Sequence, residues 1–232
     1  AACEADGDIV VFITQDVIIR DNRWLEKLVA PIVGGEAEAC FSRQLCENSS
    51  IEKYIREKNY PAESRVVTKN DIKALGLGTF FFSDVSSAME RKMFLELNGY
   101  DRKDLITNED MYICHKLITN GYRVKYCADS VVVHSHTFTF MQLLRRYFDT
   151  GVFMKQNEYF LQYGANKSGL GLLKYVLKRA FEEKNLRVAL TAIPNFAARF
   201  IGMALGKRYN VLSRKVNIFL ASNKSYWLSQ DC

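Results

Sequence analysis

Three short polar breaks in this chain carry the residue types that metal and proton chemistry need. Thr14-Gln15-Asp16 follows the apolar run Ile9 to Ile13, Asn108-Glu109-Asp110 precedes a helical pattern, and His134-Ser135-His136 follows Val131-Val132-Val133. A carboxylate at a strand end can ligate Mg2+ or Mn2+ while substrate phosphates supply further oxygens, or it can cap the next helix. An acidic pair at a helix N-terminus feels the positive end of the helix dipole, which predicts ionised carboxylates at neutral pH. Such a carboxylate suits a base that accepts a hydroxyl proton, and capping is the alternative. In extended chain alternate residues face one side, so His134 and His136 can both point at one ion or be two structural histidines. A strand ending in HxH also opens metal-dependent hydrolase barrels. That reading needs many further strand–helix units, and the 96 residues after His136 have a helical pattern.

The elements that must hold these residues follow from apolar periodicity. Ile9 to Ile13 reads as a strand covered on both faces, as in a parallel α/β sheet, with its carboxylate at the C-terminal edge where such sheets bind ligands. Asp21 to Val33 reads as a helix with Trp24, Leu25, Leu28 and Val29 on one face, ended by Pro31 and Gly34-Gly35. Residues 38–46 are strand-like, 50–60 a short helix, and 61–78 irregular. Thr79 to Phe82 is a strand candidate, and Arg91 to Leu97 a helix closed by Asn98-Gly99. Asn108 is the expected N-cap of a helix running to Thr119, and Tyr122 to Cys127 and Ser130 to Val133 are expected strands.

At 232 residues the chain can bury one full core plus a helical appendage. Its charge is uneven: residues 137–232 hold 15 Lys/Arg against 5 Asp/Glu, leaving 17 against 21 in residues 1–136. A boundary near residue 137 therefore separates an α/β front, 1–136, from a basic, helical 137–232. The six cysteines include no CxxC pair, which argues against a zinc ribbon and for reduced thiols in the cytoplasm. Val188 to Leu205 is apolar but contains Pro194, Asn195 and Arg199. It reads better as a helix lying in a membrane interface, with Arg187, Arg199, Lys207 and Arg208 at the headgroups, than as a span. Packing within the protein is the alternative. The dispersed Lys and Arg accompany no nucleic-acid motif, so no nucleic-acid partner is expected.

Taken together, Asp8-Ile9-Val10-Val11-Phe12-Ile13-Thr14-Gln15-Asp16, Phe81-Phe82-Ser83, Glu109-Asp110-Met111 and His134-Ser135-His136 resemble the family 2 glycosyltransferases of the GT-A fold, in particular their bacterial rhamnosyltransferase-like branch. The run Arg145 to Phe153 is also characteristic of that branch. The resemblance implies a Rossmann-like mixed sheet flanked by helices, followed by a helical extension. Thr14-Gln15-Asp16 stands at the DXD motif, implying donor binding by all three residues and a divalent metal, Mg2+ or Mn2+, on Asp16. Thr14 departs from the motif's first acid. Glu109-Asp110 matches the ED motif, whose Asp is the expected base. His134 matches a third metal ligand, and His136 is a candidate for the same role or for phosphate. Arg43, Gln44, Ser83 and Asp84 fall where the branch lines its sugar cleft.

The implied activity is inverting transfer of a sugar, such as L-rhamnose from dTDP-rhamnose, from a dTDP- or UDP-sugar to a glycan or lipid-linked acceptor of a cell-surface polysaccharide. The implied place is the cytoplasm, peripheral on the inner membrane, with the basic C-terminal helices against anionic lipid. By the same resemblance the first strand here is the DXD strand, so the chain corresponds to the C-terminal two-thirds or so of such an enzyme, without the units that hold the nucleotide base. That departure, with Thr14, motivates an alternative: a non-catalytic membrane-associated or scaffolding module on the same fold.

Overall fold

The computed structural model describes residues 2–164 and 168–229. The chain divides into two compact units, residues 1–102 with 109–136, and residues 103–108 with 137–232.

The first unit is an α/β layer structure. Its elements are β1 (Ile9–Ile13), α1 (Trp24–Val33), β2 (Ala39–Leu45), α2 (Ile51–Asn59), β3 (Arg65–Val67), α3 (Ile72–Leu75), β4 (Ser86–Glu90), α4 (Arg91–Glu96), α5 (Glu109–Thr119) and β5 (Val124–Val133). The five strands form one mixed sheet in the order β1-β4-β2-β5-β3. β4 runs antiparallel to both β1 and β2, and β2 runs parallel to β5. Hence β1, β2 and β5 all point the same way, and their C-terminal ends share one edge of the sheet. β4 starts at that edge, opposite Ile13. Four chain segments bearing polar residues therefore meet there: Thr14 to Asp16, Gln44, Ser83-Asp84 and His134.

Two faces of this sheet are covered differently. Trp24 and Leu28 of α1 pack on Cys40, Ala88, Cys127 and Val132. Beneath them lies a polar clasp. Trp24 Nε1 donates to Ser42 and Ser86, at 3.2 and 3.0 Å, and the Ser42 hydroxyl also bonds those of Ser86 (2.6 Å) and Ser130 (2.9 Å). All three serines are buried, so each needs these partners to offset its lost hydration. Elsewhere the core is aromatic: Phe41 meets Phe81, Phe82 and Tyr126 edge-on or tilted, with centroids 5.2–5.8 Å apart.

Several local expectations are corrected. β1 is an edge strand paired antiparallel, so it is not covered on both faces; Ile13 is 47% exposed. Leu25 is exposed while Trp24 and Leu28 are buried, because the buried stripe of α1 is narrower than its apolar sequence. Thr79 and Phe80 belong to a 3-10 turn, Gly76–Phe80, and the strand is Ser86–Glu90 instead. The two strands expected over 122–133 are one, Val124–Val133, whose register against β2 jumps between Ser42 and Arg43 to admit a bulge. Asn108 does not act as an N-cap. Its backbone is left-handed, φ 60°, and its Oδ1 has no partner; Asp110 Oδ1 instead accepts the Met111 amide at 2.7 Å.

The second unit is helical: α6 (Phe140–Gln156), α7 (Ser168–Glu182), α8 (Leu186–Gly206), α9 (Arg214–Leu220) and α10 (Lys224–Ser229). Thr139 opens α6 with a capping box to Gln142. α6 and α8 lie backbone against backbone. A Cβ on Gly202 would sit 2.2 Å from the Leu144 carbonyl oxygen, one on Gly206 2.0 Å from that of Phe148, and one on Gly151 2.5 Å from that of Met203. Arg199 is spent inside the unit, donating to Tyr147 Oη (2.6 Å) and Asn195 Oδ1 (2.8 Å), so it is not held out for headgroups as expected. Gly206→Ala is expected to cost about 1–3 kcal/mol by overpacking. Gly171→Ala, on α7 with open space around it, is expected to gain about 0.5–1 kcal/mol from helix propensity. Urea denaturation of the two variants checks both signs.

Candidate active site

The loop after β1 does the positioning. Ile18 forms an antiparallel bridge with Val133, with both amide–carbonyl bonds at 2.9 Å. The chain must therefore cross from the edge strand, over the ends of β4 and β2, to reach β5. Thr14 N donates to the Val85 carbonyl on the way, at 3.2 Å. That crossing sets Asp16 beside the end of β5, 118 residues away in sequence from His134.

Three ligand atoms converge there. Asp16 Oδ2 lies 3.2 Å from His134 Nε2 and 3.3 Å from His136 Nε2, and the two imidazole nitrogens are 2.6 Å apart. The two histidines share one side of extended chain, as the HxH spacing requires. Residues 134–136 are fixed from β2 and the loop behind it. His134 N bonds the Leu45 carbonyl at 2.9 Å, the Glu47 amide donates to Ser135 Oγ at 2.9 Å, and Asn48 Nδ2 and Ser50 Oγ donate to the His136 carbonyl at 2.9 and 3.2 Å.

A donor set of two imidazoles and one carboxylate fits a divalent transition-type cation. An ion ~2.1 Å from each ligand atom at right angles separates those atoms by ~3 Å, close to the spacing present. Two imidazoles favour Mn2+ over Mg2+, which prefers an all-oxygen shell. The charge states agree. The Thr14 hydroxyl bonds Asp16 and, aided by His134 and against partial burial, holds its carboxyl below the usual range. Burial, then the Arg56 and His136 charges, push His134 down to about 4 against the pull of Asp16, so its ring is neutral at physiological pH.

Behind the triad runs a buried chain of hydrogen bonds. Gln44 Nε2 donates to Ser83 Oγ at 2.7 Å, and Gln44 Oε1 faces His134 Nδ1 at 3.1 Å and also accepts from Arg56. Arg56 Nη2 lies 3.0 Å from His134 Nδ1. Tyr60, fully in the core, hydrogen-bonds Ser83 and Gln44; burial raises its phenol to about 12, and the Asp110 charge adds to that rise.

Asp110 is thus felt by the same network from the other side. It belongs to an acidic cluster with Asp84 and Glu109. Asp84 is half-buried, accepting from Tyr100 Oη (2.7 Å) and Ser87 Oγ (2.8 Å), and loss of hydration raises its carboxyl despite those bonds. Burial, then the Asp84 and Glu109 charges, lift Asp110 to about 8. The expected ionisation of Asp110 at neutral pH is therefore corrected, since burial and like charge outweigh the helix dipole. Glu109 itself is exposed. Arg43 stands apart from the triad. Burial raises the Tyr126 phenol and the nearby Arg43 charge opposes that rise, while Arg43 Nε is buried without a hydrogen bond.

Residues 1–97, which include Asp16, Gln44, Ser83 and Asp84, match the model for glycosyl transferase family 2. Over 226 residues, 96% of this chain and 71% of the relative, the sequence is 33% identical to O-antigen chain rhamnosyltransferase RfbN of Salmonella typhimurium. It is 32% identical over 230 residues to O-antigen chain rhamnosyltransferase WbaN of Salmonella anatum, covering 97% of this chain and 72% of that one. The chain belongs to the family 2 glycosyltransferases. Its mixed sheet with flanking helices is the GT-A architecture, and it is a glycosyltransferase rather than a non-catalytic module.

In this glycosyltransferase, sequence reasoning missed Arg56 and Tyr60. Their only signal is spacing, four residues apart at the end of a helix that seemed merely structural. Gln44→Leu is expected to leave Ser83 Oγ and the Arg56 guanidinium short of a partner, at about 1–3 kcal/mol. Adding Arg56→Met should return part of that loss. A double-mutant cycle of denaturation midpoints measures both.

Proposed function

We propose that this glycosyltransferase moves a sugar with inversion, L-rhamnose from dTDP-rhamnose being the favoured donor over UDP-sugars, onto a glycan or lipid-linked acceptor in cell-surface polysaccharide synthesis. Both relatives are O-antigen chain rhamnosyltransferases by name. The observation that carries the reading is the convergence of Asp16, His134 and His136 from opposite ends of the unit. Those three residues would hold a divalent cation, Mn2+ in preference to Mg2+. When bound, such an ion neutralises charge developing on the departing nucleoside diphosphate.

The chain's own residues supply the rest. Thr14 keeps Asp16 ionised, and Thr14 and Gln15 are exposed beside it to meet the donor. Gln44, Ser83 and Asp84 line the sugar side, and Arg56 and Tyr60 fix Gln44. Asp110 takes the acceptor hydroxyl proton as the oxygen attacks the anomeric carbon, and the sugar–phosphate bond breaks on the far side. Glu109 acts on Asp110 by charge alone. A base titrating near the working pH gives the best compromise between being ionised and being basic. The protein would act in the cytoplasm, peripheral on the inner membrane, where a lipid-linked acceptor is presented.

Two results test this. Asp110 is the base only when ionised, so kcat/KM should fall with pH on a limb centred near 8 and set by Asp110 in the free enzyme. Its neighbours Asp84, Glu109, Tyr100, Tyr60 and Cys114 carry no cation to pull that limb down. Asp110→Asn should lose about 10²–10⁴-fold in kcat and melt no lower than the parent, because the amide is uncharged like the protonated carboxyl and keeps an oxygen to accept the Met111 N–H. Retained turnover in Asp110→Asn would end the assignment. Separately, calorimetry should show Mn2+ binding more tightly than Mg2+, with Asp16→Asn and His134→Ala each losing at least about tenfold in affinity. Unchanged titrations would remove the metal reading.

A further inference from the structure

α8 is apolar on two opposite sides, and only one of them is used. Its inner side is Val188, Ala192, Ala198, Gly202 and Gly206, all buried. At 100° per residue the opposite side is Leu186, Leu190, Ile193, Ala197 and Phe200. Leu190 is 79% exposed, Ile193 66% and Phe200 76%. No charged residue interrupts that outer stripe. It is bounded by exposed cations: Lys184 and Arg187 at one end, Lys207 and Arg208 at the other. None of these four makes an ion pair among the described residues.

Among the described residues, the acids of this unit are engaged elsewhere. Glu182 and Glu183 pair with Arg179, Glu158 with Lys155, Asp104 accepts from Ser229, and Asp149 is buried on the Ser222 and Asn223 amides. The outer face of α8 therefore presents apolar side chains framed by uncompensated positive charge.

We propose that this face is a docking surface for an anionic lipid bilayer, with α8 lying flat in the headgroup region. An apolar stripe with cationic ends has the chemistry of an interfacial helix, the stripe entering the acyl boundary and the cations meeting lipid phosphates. Three observations exclude the rival occupants. A span would require α8 to leave α6, to which it is joined at backbone contact through Gly151, Gly202 and Gly206. Gly202-x-x-x-Gly206 has the form of a helix-pairing motif, but α6 already fills it, so it is not open to a second copy. A two-fold dimer through the outer stripe would oppose like-charged rims. The inference deepens the peripheral placement given above, yet it needs neither donor, metal nor turnover.

The test is flotation of the full chain with vesicles of phosphatidylcholine alone or phosphatidylcholine mixed with phosphatidylglycerol. Binding is expected to the anionic vesicles at low salt, to weaken at least about tenfold on neutral vesicles, and to be released by high salt. Leu190→Glu with Phe200→Glu should lose it, and so should Lys207→Glu with Arg208→Glu, which leaves the apolar stripe intact. Both pairs are on exposed positions, and circular dichroism and sugar transfer to a soluble acceptor should be unchanged in each. No flotation on anionic vesicles would overturn the proposal, as would variants that float like the parent. Retention through alkaline, high-salt washing would replace it with a span. A concentration-dependent dimer abolished by Leu190→Glu with Phe200→Glu would replace it with self-association. A parent chain that floats on anionic vesicles but transfers no sugar would instead count against the catalytic reading alone.

Discussion

One backbone constraint governs the front unit: Ile18 must pair with Val133 while β1 stays paired with β4. With β4 and β2 lying between β1 and β5, the segment between Ile13 and Ile18 has no path except across the sheet edge. The four residues between them, Thr14 to Val17, make that traverse with a turn at Gln15-Asp16. Asp16 sits in the turn of this crossing, so its place above β5 is imposed by strand order and not by its own side chain. The same geometry explains why a carboxylate and a histidine pair 118 residues apart meet. It also explains why β4 must run backwards. A parallel strand in its place would bring its C-terminal end to this edge and carry Ser83 and Asp84, at its start, to the other.

The two carboxylates of the candidate site are driven in opposite directions, and this matches the division of work proposed for them. Asp16 is mostly exposed and hydrogen-bonded by Thr14, which keeps it charged and available as a ligand. Asp110 is enclosed beside Asp84 and Glu109, which keeps its proton affinity high. Environments that push two acids apart are what assign acid–base roles within one site. Thr14 then has a physical reading as a departure from an acidic motif. A second carboxylate two residues from Asp16 would add negative charge, whereas a hydroxyl contributes a hydrogen bond that favours the ionised form of its neighbour. Tyr60 joins the two halves, bonded to Gln44 and Ser83 on one side and within the field of Asp110 on the other.

Much of this was legible in residue patterns, and the failures have identifiable causes. β2, α1 and α5 announce themselves by apolar periodicity, and the HxH spacing alone places both imidazoles on one side. β4 is invisible by the same reasoning. Its sequence, Ser86-Ser87-Ala88-Met89-Glu90, has small polar residues where a buried strand should be branched and apolar. Those serines are buried because Trp24 and Ser42 satisfy Ser86 and Asp84 accepts from Ser87, a compensation that only tertiary contact reveals. The neighbouring Phe80-Phe81-Phe82 looks more like a strand, yet Phe81 and Phe82 belong to the aromatic core around Phe41 and Phe80 packs on His115. The ionisation of Asp110 was misjudged for a related reason. A helix-dipole argument sees one element, whereas burial and the Asp84 charge come from elsewhere in the fold.

The helical unit poses a different question, because folding does not account for its outermost side chains. Glycine in a helix interior costs roughly 1 kcal/mol against alanine, and α6 and α8 accept that cost at Gly151, Gly202 and Gly206 to bring their backbones together. The inner face of α8 is thus specified down to single methyl groups. Leu190, Ile193 and Phe200 on the other side touch solvent over most of their surface, so the folded state gains little from their apolar character. A helix needed only for packing could carry Lys or Glu at these positions, with equal or better helix propensity and higher solubility. An apolar face that contributes little to stability and raises the risk of aggregation is accounted for by a medium it can enter. The cations at both ends of the helix fit the negatively charged medium proposed for it.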